Sequence, residues 1–104
     1  MQERREQMVE ELRKLEQARD LLRDLEGRLK GEDRPEVEDH LTRLERLAGS
    51  FPEGHMARLL IESAAGSVRA RDARKAGSEV SRSRSAIEGR ISTLRGYLSR
   101  ESSE

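Results

Sequence analysis

Residues Met1 to Leu29 read MQERREQMVEELRKLEQARDLLRDLEGRL, and the spacing of their apolar side chains decides the fold class. Met1, Met8, Leu15, Leu22 and Leu29 recur every seven residues, with Leu12, Ala18 and Leu25 between them. Alternating steps of three and four place such a set on one side of an α-helix. The other faces carry Glu10/Lys14, Asp24/Arg28 and Glu26/Lys30, each an acid four residues ahead of a base, the orientation that supports a helix. Gly31 then ends the segment as a C-terminal cap. A helix over about 2–30 follows.

Two further starts share one device. Asp33-Arg-Pro-Glu36 and Ser50-Phe-Pro-Glu53 each put a capping side chain three residues before a glutamate. Each also puts a proline in the first turn, where its missing N–H removes no helical bond. The first opens a short helix over about 34–48, with Val37, Leu41, Leu44 and Leu47 on one face and Gly49 as its stop. The second opens a long segment over about 51–100. There the three–four spacing runs through Met56, Leu59, Ser63, Gly66, Ala70, Ala73, Gly77, Val80, Arg84, Ile87, Ile91, Leu94 and Leu98 without a change of phase. Small residues fill the middle of this seam and bury little area. Gly77-Ser78 is the place where a break is expected, if there is one.

At 104 residues the chain reads as a single domain, 1–104, with a core of its own that is marginal in size. Phe51 and Tyr97 are its only aromatic residues, so the core is aliphatic, which suits narrow seams between helices. Cysteine is absent, which excludes disulfides and thiolate metal sites. No apolar run approaches the roughly 18 residues of a membrane span, and no apolar segment follows the charged N-terminus as a secretory signal would. A cytoplasmic protein with no membrane partner is the resulting expectation.

Charge is divided unevenly along the chain. Residues 1–52 hold 11 bases and 14 acids; residues 53–104 hold 10 and 7. Halves of opposite sign favour antiparallel contact between them, within one chain or across two. The arginines between 68 and 100 also allow a salt-dependent, nucleic-acid-binding helical protein as an alternative. No aromatic residues are interleaved with them to form a stacking platform.

Helix lengths lead to a functional expectation. At about 1.5 Å per residue the three segments span ~45, ~20 and ~70 Å. An unbroken third helix would pass the end of the first and leave Val80, Ile87, Ile91, Leu94 and Leu98 without cover from their own chain. Either the chain breaks near Gly77 and folds back as a four-helix bundle, or another chain covers the seam, and the second is the reading favoured here. The fold class expected is therefore all-α, a helical hairpin plus a long C-terminal helix, with bundle or coiled-coil packing completed by oligomerisation. The function expected is a helical protein–protein interaction module, a homo-oligomer or a chaperone-like subunit of a larger assembly, with those five residues as its partner-binding set.

Reaction chemistry finds little footing. His40 and His55 are the only histidines, and Val37 and Pro52 stand three residues before them, so the Glu-x-x-His pattern of di-iron bundles is missing. Both read as surface residues. No phosphate-cradling loop or nucleophile elbow occurs, and no cofactor, metal or catalytic residue is assigned.

The order long, short, long resembles the all-α chorismate mutases, with Arg19 and Lys30 eleven apart as that family's substrate-binding Arg and Lys are. Arg58-Leu-Leu60 and Ser67-Val68 are similar to its third helix. The resemblance implies a dicarboxylate-rearranging enzyme as a further alternative. Yet Gln2, Val37 and Arg71 stand where the family has its early first-helix Arg, its second-helix Arg and its Gln or Glu near the ether oxygen, so the implied active site is incomplete. Gly31 to Leu47 is similar to flagellar export chaperones, whose helical hairpins hold a partner's helix. Tyr97-Leu-Ser-Arg-Glu101 resembles the tail of small type VII secreted helical hairpins, although Phe51-Pro-Glu-Gly54 departs from their turn.

Overall fold

The computed structural model describes residues 2–29, 34–70 and 73–102. Met1, Lys30, Gly31, Asp33 and Arg71, each given a part above, lie outside the described residues. Within them the chain is all-α: α1 (Gln2–Leu29), α2 (Arg34–Gly49), α3 (Met56–Arg69) and α4 (Ala73–Ser102). Each helix packs on two neighbours, α1 and α3 each on α2 and α4. The result is an antiparallel four-helix ring, 49 × 21 × 20 Å in extent.

The first two helices follow the sequence pattern. Leu15, Ala18, Leu22 and Leu25 of α1 and Leu41, Leu44 and Ala48 of α2 are buried in one core. The third segment does not follow it. Instead of one helix over 51–100, α3 ends at Arg69 with Ala70 as its cap, and the chain turns back into α4. The break therefore lies between 69 and 73, ahead of Gly77, which is inside α4. No proline or glycine marks the spot; the gain is tertiary. Doubling back buries Val80, Ile87, Ile91 and Leu94 under the chain's own helices, each no more than 3% exposed. At about 25 cal/mol per Å² of apolar surface, four such side chains outweigh the few hydrogen bonds of an interrupted helix.

The turn also shifts the seam. In α3 the buried set is Ala57, Ile61, Ala64 and Ala65, one face away from the stripe read in the sequence, and Met56 and Leu59 are exposed. In α4 the buried set is Ala76, Val80, Ser83, Ile87, Ile91 and Leu94. Small residues at this junction bring α3 and α4 close enough for the Ser83 hydroxyl to donate to the Leu60 carbonyl at 3.0 Å.

The start of α3 is also later than the Ser50-Phe-Pro-Glu pattern suggests. Ser50 closes α2 instead, its hydroxyl donating to the Leu47 carbonyl at 2.6 Å. Phe51 turns into the core, and Gly54 has φ of +80°, a left-handed conformation that suits glycine and ends any helical path through this turn. His55 becomes the N-cap, its ring accepting from the Ala57 N–H.

Candidate functional site

The four helices are of two lengths: 28 and 30 residues in α1 and α4, 16 and 14 in α2 and α3. Lys14 Nζ donates to the Ser50 carbonyl at 3.0 Å, and His55 reaches Glu11, so the turn joining α2 to α3 sits beside residues 11–14 of α1. Residues 2–10 of α1 run past that turn for about 14 Å. The last turns of α4 run alongside them. Two helices thus overhang, and a notch lies where α2 and α3 stop. Its volume is about 1140 Å³, and its lining includes Glu3, Glu6, Met8, Lys14, Phe51 and Arg90.

A polar cluster forms the base of the notch. Glu11 stands on α1 seven residues before Ala18 and fourteen before Leu25, in the register of the core. Where the covering helices end, that register turns from apolar to charged. Glu11 Oε1 lies 2.5 Å from His55 Nε2, and Arg90 Nη2 donates to Glu11 Oε2 at 3.4 Å. His55 Nδ1 accepts from the Ala57 N–H at 3.0 Å. A nitrogen that accepts carries no proton, so in the neutral ring the proton sits on Nε2 and is donated to Glu11. The ring stacks on Phe51 at 4.9 Å between centroids, and the Lys14 ammonium lies 5.7 Å from the Phe51 ring centre. Both nitrogens of His55 are committed, and the Ser50 hydroxyl is held by Leu47.

Both histidines differ from the surface reading. His40 is buried, with Nε2 3.2 Å from Asp24 Oδ2 across the α1–α2 interface, while His55 is four-fifths covered. Among the described residues no group of three or more His, Asp or Glu could hold a metal ion. Likewise, no described helix is long and apolar enough to cross a membrane.

The five residues expected to bind a partner fall into two groups. Val80, Ile87, Ile91 and Leu94 are interior to the bundle, so the need for a second chain to cover them is removed by the turn at 69–73. Leu98 is half-buried and lies on the overhang. The notch itself escaped the sequence reading. Its available signal was Glu11 in a core register, a position where Leu12 had seemed the seam residue.

Arg84, Arg90 and Arg95 of α4 pair with acids of α1. Arg84 Nε donates to Glu26 at 2.7 Å, Arg95 to Glu16 at 3.0 Å, and Glu88 accepts from both Arg23 at 2.9 Å and Arg84 at 3.1 Å. Partial desolvation raises the Glu88 carboxyl, but the hydrogen bonds from Arg23 and Arg84 and their charge outweigh it and hold it below its ordinary value. On α3, Arg69 pairs with Glu45 and Glu38 of α2. This antiparallel contact within one chain accommodates the opposite charges of the two halves. Arg19, shared with the chorismate-mutase pattern, lines a shallow hollow of about 310 Å³ with Arg23 and Arg95 on the outer α1–α4 face, and donates to Asp20 at 3.0 Å. No family model, no curated protein and no solved structure matches the chain.

Proposed function

We propose that the chain is a helical protein–protein interaction module, a dimeric or chaperone-like subunit of a larger assembly, and that it engages its partner at the notched end of the bundle. The observation that carries the reading is the mismatch in helix length. Tyr97, 51% exposed, stands on α4 fourteen residues after Ser83, the residue that contacts α3. A two-heptad step keeps the same face, so Tyr97 points where α3 would lie if it were longer. A half-exposed aromatic side chain on a helix that overhangs a concave step has the character of an interface anchor. Its setting fits a helix added alongside α1 and α4. Leu98 stays within this contact set; Val80, Ile87, Ile91 and Leu94 support it from inside.

The test is position-specific photo-cross-linking in cells that make the protein naturally, with a benzophenone side chain at Tyr97 or at Thr42, an exposed site on the covered half of the bundle. Adducts from position 97 and none from 42 are expected. No adduct from 97, or equal yields from both, would overturn the proposal.

A further inference from the structure

We infer that the occupant of the notch is the overhang of a second copy of this chain, the two molecules interlocking about a two-fold axis perpendicular to the bundle. This rests on the notched end being a contact surface, as proposed above.

The shape argument comes first. Each molecule lacks two helices over about 14 Å at one end and offers two helices of the same length there. A half-turn about an axis between the overhanging pairs places the second copy's α1 in line with α2 and its α4 in line with α3. The four-helix ring then continues through the junction from one molecule into the other. Each notch is filled by the element that created it.

Helix polarity selects this pairing. α2 ends at the notch, and the second copy's α1 begins there; α3 begins at the notch, and the second copy's α4 ends there. In both cases a C-terminus, with its partial negative charge, faces an N-terminus with its partial positive charge. The side-chain charges agree with that arrangement at the α3 end, where Arg100 near the end of α4 approaches the exposed Glu53. At the α2 end, Glu3, Arg4 and Glu6 of the incoming α1 meet a lining of mixed sign, Lys14 and Arg90 beside Glu10 and Glu11. The symmetry also brings Tyr97 of each copy to the same shared face, together with the half-buried Met8 and Leu98.

The contact is small. Two helices about 10 Å wide over about 14 Å give a footprint near 300 Å² per copy, well short of the roughly 800 Å² per partner of a stable complex. Association is therefore weak and concentration-dependent, and the monomer is the dissociated state rather than an unfolded one.

Sedimentation of the full chain across a wide concentration range is expected to show a reversible monomer–dimer equilibrium. Tyr97→Asp should weaken it about tenfold or more by placing charge in the shared face, with helicity by circular dichroism unchanged. Because the chain has no cysteine, Tyr97→Cys with a short bis-maleimide should give covalent dimer, and Thr42→Cys should not. A chain that stays monomeric at all concentrations, or a dimer insensitive to Tyr97→Asp, or equal cross-linking from both positions, overturns the inference. The photo-cross-link separates this failure from failure of the broader proposal. Adducts from Tyr97 solely to other proteins would sink the second copy and keep the interaction surface; no adduct at all would sink both.

Discussion

His55 does two jobs with one ring, and each can be removed separately. Its Nδ1 caps α3 through the Ala57 N–H, and its Nε2 ties the cap to Glu11 across the end of the core. Asparagine is a strong N-cap but too short to reach Glu11. His55→Asn should therefore cost about 1 kcal/mol of stability, the worth of one partly buried hydrogen bond to a charged group, and His55→Ala about 2 kcal/mol, since the cap goes as well. Urea denaturation of the two variants measures the difference, and equal losses would show that capping carries none of it. At this scale the sequence was a partial guide. The Ser-Phe-Pro-Glu pattern offered Ser50 as the cap because spacing alone does not register that Phe51 must reach the core. Gly54 was the overlooked cue, since its left-handed φ commits the following residue, His55, to the N-cap position.

Elements were legible where one face did all the packing. The seven-residue stripe of α1 and the proline-led start of α2 required no knowledge of neighbours, and both helices formed as read. α3 was misphased because three of the four buried residues on its core face, Ala57, Ala64 and Ala65 beside Ile61, are alanines, which a hydrophobicity pattern weighs less than Met56 and Leu59. Burial here is decided by how closely α4 can approach, which favours small side chains over large ones. The helix-interior glycines test whether that economy extends to the surface. A Cβ added at Gly66 of α3 or Gly89 of α4 meets nothing within 4 Å, and neither has a positive φ. Gly66→Ala and Gly89→Ala should each raise stability by about 1 kcal/mol, since alanine restricts the unfolded chain and both sites have room for it. Thermal midpoints report the gain at roughly 4–8 °C apiece for a domain of this size. A loss at either position would mean that the glycine fills a need outside the folded monomer.

For the whole molecule, the decisive step is the reversal between Arg69 and Ala73, and it was the least legible. Local sequence permits a helix through this point, and only the balance of buried surface ends it there. The consequence reaches the residues first expected to hold a partner. With α4 folded back, Ile87 is fully buried among residues of the chain's own core, so its truncation creates a cavity inside one molecule. Ile87→Ala should lower unfolding stability by about 2–5 kcal/mol, a large share of what a domain of this length possesses. Tyr97→Asp should leave that stability nearly unchanged and act on association alone. Denaturation and sedimentation of the two variants, run side by side, separate the roles. If Ile87→Ala changed the mass in solution while its unfolding midpoint held, the long uninterrupted helix would be the better description. If it lowered the midpoint at a constant protein concentration while dimerisation of the remaining folded fraction kept its strength, then the last third of the chain is committed to its own core, and contact with other molecules is left to the notched end.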